Sequence, residues 1–369
     1  MTNNNTPILA PLRFKQAAES AFRQELRQEA QSYLDQRGEH RFGNGWQLVK
    51  GAFLAALAGA LYWCALHADR PLQFIPAYFG FIFVAMVLAM NLLHDAAHQA
   101  VFRSAALNRL LIRIVSIPVG IDPDFWVIRH VHFHHTYANI DGYDLDIEPN
   151  PFLRQTPFQR WLPQFRYQHM YWPLIAALSL PYLCWYSDWI DRLGQTKIVA
   201  QGSRSGWPSW PLFLSAKLVH LCVVLVLPIW LLPNIGWGQV LACYFLGLML
   251  ASCFLVAMIL GTHWAEVDFF QAPADGKMPH TWLEHTFHTS CDWAPRPRWL
   301  GYWLGGLNYH LTHHLFPTYS HRHYRQLAGI IARLAVKHRL AYRELNYVQL
   351  ITSQQKFLKA MGGKPSKVE

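Results

Sequence analysis

Hydrophobic positions along this chain gather into four long runs, and nearly every charge lies in the polar stretches between them. Residues 48–68 contain only Lys50 and His67, both near the ends of the run; residues 72–93 carry no charge. Residues 210–232 contain Lys217 and His220, and residues 237–262 again carry no charge. Crossing a bilayer as a helix takes about 20 predominantly apolar residues. Each run therefore predicts a transmembrane helix, the last one long enough to continue about a turn beyond the hydrocarbon. The first two runs are joined by Asp69-Arg70-Pro71 and the last two by residues 233–236, so the pattern predicts two helical hairpins. It divides the chain into a polar N-terminal region (1–47), a first hairpin (48–93), a long loop (94–209), a second hairpin (210–262) and a C-terminal region (263–369).

Charge orients this arrangement. Of 32 Lys and Arg residues, only Arg70 falls in the two short connections. Basic residues stay on the cytoplasmic side of a membrane, so the three polar regions, the chain termini among them, are expected there. Two stretches of the loop read as interfacial. Residues 107–120 form an apolar helix with Arg109 and Arg113 on one face. Residues 172–189 are apolar but broken by Pro173 and Pro181, and run into Asp188 and Asp191. Residues 12–37 alternate charges at helical spacing and predict a solvated amphipathic helix, and residues 362–369 a frayed tail.

Composition agrees: hydrophobic residues make up 52% and charged residues 15%, against about 25% charged in a soluble domain. The six cysteines are scattered, with no disulfide framework. The polar stretch up to Gln47 has no signal-peptide core, so no cleavage is expected. The net charge of +10 reads as basic residues flanking the spans and touching anionic headgroups, or as a face for an acidic electron carrier or acyl carrier. Because the basic residues follow the spans instead of forming a stripe, nucleic acid is not expected as a partner.

Candidate chemistry lies in the spacing of the 20 histidines. His94-Asp-Ala-Ala-His98 follows the second run, an i, i+4 pair that puts both imidazoles on one helix face. His130-Val-His-Phe-His134-His135 lies in the loop; His132 points off the His130/His134 face and is set aside. His310-Leu-Thr-His313-His314 places three imidazoles within reach of one site. His263 directly follows the fourth run, where an extra helical turn emerges from the membrane, and is a further candidate. His285, His288, His321 and His323 have no ligand spacing among them. Imidazole suits Zn, Cu, Fe and Ni alike, and this many histidines exceed the four positions of one tetrahedral ion, which points to a two-metal centre. With four spans, all clusters emerge on one side of the membrane. Asp95, Asn139, Asp144, Asp146, Glu266, Asp292 and Asn308 stand near enough in sequence to orient imidazoles. A metal transporter is the distant alternative, disfavoured because transporters place ionisable groups near the midplane of their spans.

At these residues the chain resembles the membrane fatty acid desaturases. Trp126 through Asp146, with its histidines and the downstream Asn139, Gly142 and Asp144, is similar to that family's second histidine box. Gly305 through Pro317 is similar to the third box, and Ser320-His-Arg-His-Tyr324 continues the likeness; His94 to His98 is similar to the first. The resemblance runs from about residue 79 to 327. It implies an all-α integral membrane protein with a cytosolic helical cap, two Fe ions, O2 as co-substrate, and a double bond introduced into an acyl chain. It also implies that His263 is a ligand alongside the eight histidines of the boxes. The acyl chain would be carried on CoA, acyl carrier protein or a lipid. With no His-Pro-Gly-Gly motif of a fused cytochrome b5 domain in the chain, electrons are expected from a separate donor, such as ferredoxin or cytochrome b5 with its reductase. Trp126, Tyr137 and Trp264 are candidates for the wall of an acyl tunnel, and Arg129 for a phosphate-bearing head group. One departure stands out: the linoleoyl and front-end subgroup usually carries Gln where this chain has His310, so regiochemistry does not transfer. Hydroxylation or acetylenic-bond formation on the same metal set is the alternative outcome. A bacterial inner membrane is the expected location.

Overall fold

The computed structural model describes residues 12–16, 20–200 and 209–365; the two chain ends placed in the cytoplasm above lie outside them. Among these residues helix dominates, and strand is confined to short segments that pair two by two. Four helices are long and apolar enough to cross a membrane: Gly45–Leu66, Pro71–Ala97, Trp210–Leu231 and Trp237–His263. They match the four predicted runs, with the second and fourth extended into the first histidine pair and His263. Only 28–44% of their apolar windows is buried inside the protein, so most of each span's surface is left for lipid tails. Trp46, Trp63, Trp230 and Trp237 stand exposed near the span ends, where indole rings favour the membrane–water boundary. The chain is an all-α integral membrane protein.

The described chain forms two compact units. The first comprises Gly43–Ile128 and Ala176–Val256. Small residues let its spans approach closely: a Cβ on Gly51 would fall 2.7 Å from Leu92, and one on Gly247 2.6 Å from Ile82. The third span contains a wide π turn at Cys222–Val226, and the hydroxyls of Tyr62 and Tyr78 donate to the carbonyls of Val223 and Val224 within it. Lys217 and His220, the two ionisable residues of that span, are turned inward. Lys217 Nζ donates to Asp188 (2.7 Å) and to the carbonyls of Gly120 and Cys184 (both 2.6 Å). His220 bonds Tyr244 (2.8 Å), and Arg192 pairs with Asp122 at 2.6 Å. The proline-broken stretch is helical from Gln168 to Arg192 and is not among the four candidate spans. Within it the Ser252 hydroxyl inserts into one turn, donating to Ala176 O (2.6 Å) and accepting from Leu180 N–H (3.1 Å), a recognised cause of helix bending. The amphipathic stretch after the first histidine pair is the helix Ala105–Ser116, with Leu107, Leu110 and Ile114 exposed and Asn108, Ile112 and Val115 buried.

The second unit comprises Ala10–Phe42, Arg129–Ile175 and Ala257–Glu369. Here the expectation of a helix over 12–37 needs correction. The helix is Ala21–Gln36, capped by Ser20; Arg13 and Lys15 are instead extended, donating to the carbonyls of Gly276 and His280. Nor is that helix solvated all round. Phe22, Leu26 and Ala30 bury against Leu327, Ile331 and Leu334 of the helix Tyr324–His338, while Glu25 and Glu29 pair with Lys337 and Arg333 along the edge. Two parallel strand pairs, Ile140–Asp141 with Phe270–Gln271 and Asp292–Ala294 with Glu344–Asn346, tie distant segments together. Where a tail is expected from residue 362, Gly362 instead closes the helix Tyr347–Gly362, with Phe165 O leaving no room for a Cβ; residues 366–369 lie outside the described ones.

Candidate metal centre

In the first unit the second span does not stop at the edge of its apolar run. A π turn at Ala89–Leu93 leads straight into His94–Ala97, a device that often re-aims side chains at functional sites. His94 and His98 are buried with ring centroids 5.3 Å apart, and the Trp126 ring lies 6.4 Å from His94. Asp95, also buried, accepts from Gln47 at 2.8 Å.

The second cluster is built on a wider turn than an α-helix provides. Asp122 caps a short helix starting at Pro123, which widens into a π turn at Ile128–His134 and returns to α geometry at His135. The i, i+5 pair therefore meets: His130 Nε2 lies 3.3 Å from His135 Nε2. His134 faces another way. Its Nδ1 sits 3.2 Å from Asp144 and 3.3 Å from Asp146, so those carboxylates accept the Nδ1 proton, as partners that orient an imidazole do. Burial opposes charge on this ring, but the two carboxylates outweigh it and push His134 up to about 9.

His263 ends the fourth span, and its Nδ1–H donates to Thr289 O at 2.8 Å, leaving Nε2 with a lone pair. The third cluster lies on the helix His310–Leu315, whose single turn stacks residues i, i+3 and i+4. His263 Nε2 meets His310 Nε2 at 2.7 Å, and His314 Nε2 lies 3.3 Å from His310 Nε2. His134, His263, His310 and His314 are all buried, with one ligand nitrogen each within 4.8 Å of all the others. Burial, reinforced by the neighbouring imidazoles, holds His314 well below the usual histidine range, in the neutral form that a ligand needs. A second group forms beside it: His135 Nε2 is 2.9 Å from His313 Nε2, and His313 Nδ1 is 2.7 Å from the Tyr324 hydroxyl. The His135 ring stacks on His314 at 4.2 Å, so the two groups share a wall. Four convergent imidazole nitrogens fit a metal ion, and they fit iron as they fit zinc, copper or nickel.

The residues expected to orient imidazoles divide. Asp144 and Asp146 face His134. Asn139 works on the backbone instead: in a left-handed conformation (φ 57°) that Asn tolerates, it donates to His263 O and Asp268 O, both at 3.1 Å. Glu266 is exposed and accepts from Ser353 (3.2 Å), and Asn308 donates to Trp293 O (3.1 Å). Of the substrate candidates, Trp126 and Arg129 are half-buried. Tyr137 packs on Tyr143 beside the Leu12–Ile140–Met278 cluster. Trp264 is buried and stacked on Phe357. The histidines set aside have partners of their own: His285 donates to Ala138 O (2.7 Å) and His288 pairs with Asp268 (2.7 Å). His323 Nδ1 lies 3.0 Å from the Tyr33 hydroxyl. Sequence spacing missed Tyr324 and the Thr289 carbonyl; Tyr324 was at least marked by its place in the motif after the third box.

Comparison with known proteins agrees with the chemistry. A model of the family described as fatty acid desaturase matches residues 72–346. The sn-1 linoleoyl-lipid 6-desaturase of Synechocystis sp. is 28% identical over 96% of this chain and 99% of its own. The protein of the same name from Arthrospira platensis is 25% identical over 85% of this chain and 84% of its own. An acyl-lipid (8-3)-desaturase from Physcomitrium patens is 24% identical over 88% and 68%. With its spans, its buried imidazole clusters and this match over most of its length, the chain belongs to the fatty acid desaturase family and is a membrane enzyme of lipid metabolism.

Proposed function

We propose that this protein is an O2-dependent acyl desaturase holding two iron ions, one on His134, His263, His310 and His314. The other would lie on His130, His135 and His313, and His94 and His98 at the end of the second span are proposed as metal ligands as well. The observation that carries this reading is the meeting of four buried imidazoles, drawn from three separate segments, with their ligand nitrogens within 4.8 Å. Support for His94 and His98 comes from their i, i+4 spacing and burial. When bound, the irons would supply the oxidising chemistry by which O2, two electrons and two protons take two hydrogens from neighbouring methylenes, giving an alkene and two waters. The chain's own residues do the positioning: Asp144, Thr289 O and Tyr324 fix three rings through their Nδ1 atoms, and burial of the ligands keeps bulk water from the site.

The acyl chain is proposed to be lipid-linked, as in the names of the relatives, with Trp126 and Tyr137 against the chain and Arg129 near its head group. Electrons would come from a separate carrier, a ferredoxin or cytochrome b5 type. The metal centre and both chain ends are proposed to face the cytoplasm, on the support of the Lys and Arg distribution, and the membrane to be a bacterial inner membrane. Expression in a host of known lipid composition, followed by mass spectrometry of acyl products, tests the reaction. A new alkene position should appear, and His314→Ala should lose both that product and bound iron. Wild-type protein purified without iron would sink the proposal, and an oxygenated product with no alkene would replace desaturation by hydroxylation.

A further inference from the structure

The three imidazoles of the third cluster ride on a helix of only 6 residues, His310–Leu315. A helix this short has no stability of its own in water. Its N-terminus also lacks a local cap, since Tyr309 stands at the N-cap position with no side-chain bond. The missing acceptor comes from another segment. Asp292, 0% exposed, accepts from the backbone N–H of Thr312 at 3.1 Å through Oδ1. Thr312 is the third residue of the helix, and that N–H is one that an N-cap side chain ordinarily satisfies. The other oxygen, Oδ2, accepts from Thr312 Oγ1 (2.5 Å) and from the Tyr342 hydroxyl (2.9 Å).

Asp292 is itself held. Its N–H donates to Arg343 O at 3.0 Å, within the strand pair Asp292–Ala294 and Glu344–Asn346. One residue on, Trp293 N–H donates to Asn308 O (2.8 Å), and Asn308 Nδ2 returns a bond to Trp293 O (3.1 Å). The strand therefore grips the chain just ahead of the cluster while the carboxylate grips its first turn. A buried carboxylate costs heavily unless well bonded, and this one spends its bonds on the helix that carries the ligands.

We propose that Asp292 is a positioning residue of the metal centre: its carboxylate caps the third-cluster helix from outside, holding His310, His313 and His314 in register, with Tyr342 fixing the carboxylate. The consequence for metal rests on the reading given above; the capping geometry does not.

Amide exchange of the peptide 308–316, and loss of iron to a chelator, measured on the full chain in detergent, test this. In Asp292→Ala both should speed up about tenfold, the loss expected when a charged acceptor is removed from buried donors, with exchange in the span peptides unchanged. Asp292→Asn, whose carbonyl oxygen still accepts from Thr312 N–H, should recover most of both, and Tyr342→Phe should fall between. Wild-type exchange of 308–316 in Asp292→Ala would overturn the proposal. So would Asp292→Asn as impaired as the alanine variant, because the effect would then belong to charge and not to capping. If Asp292→Ala fails to accumulate, Tyr342→Phe and Thr312→Val decide: each should speed exchange of 308–316 at least about twofold, and wild-type rates in both would refute the cap. Wild-type protein without iron would strike the metal reading alone, since the exchange measurement needs no metal.

Discussion

A histidine becomes a ligand through what its other nitrogen does. His134 gives Nδ1 to Asp144 and Asp146, His263 gives Nδ1 to Thr289 O, and His313 faces Tyr324, so each presents Nε2 to its neighbours. His285 uses Nε2 on Ala138 O and so has a structural partner instead. Spacing along the chain singled these residues out but said nothing about tautomers, which depend on partners up to 26 residues away. Removing such a partner typically costs about 10- to 100-fold in metal affinity. Asp144→Asn should therefore weaken iron binding by about that factor without unfolding the protein. Competition with a chelator of known affinity checks this, and an unchanged constant would remove Asp144 from the design.

Among the elements, the π turns are where pattern reading ran out. An α-helical reading of the second cluster pairs His130 with His134; the wider turn instead brings His130 to His135 and frees His134 for a different group. Hydrophobic periodicity cannot distinguish 3.6 residues per turn from a local widening over a few residues. The third span poses the opposite case. Lys217 and His220 interrupt an apolar run, and both are satisfied by residues of the loop and of the proline-broken helix. Removing one member of a buried pair strands the other, at a cost of about 3–5 kcal/mol. Lys217→Met should thus lower thermal stability in detergent severely, and Lys217→Met with Asp188→Leu should recover much of the loss. A double variant no better than the single one would show that the Lys217 bonds to backbone carbonyls matter more than the ion pair.

At the scale of the whole molecule, the proposed disposition in the membrane is supported by four spans and the crowding of basic residues outside the short connections. In a Cys64→Ser background, a cysteine at exposed Asp275 should react only with reagent supplied from the cytoplasmic side. Cysteines at exposed Asp69 and Asn234, in the two short connections, should react only from the opposite side. Labelling of Asp275→Cys and Asp69→Cys from one common side would break the two-hairpin arrangement. The metal centre would then need a different topology.

The sequence alone determined the spans, the family and the set of candidate imidazoles, because each is written in local terms: apolar length, charge counts and i, i+3 or i+4 spacing. It did not determine which imidazoles lie together, that Asn139 and Asn308 serve the backbone, or that Asp292 caps a helix some twenty residues downstream. Those depend on bonds between segments far apart in the chain, and a hydrogen bond has no periodic trace in the sequence that makes it. Only the folded backbone, with its widened turns and its two short strand pairs, decided them.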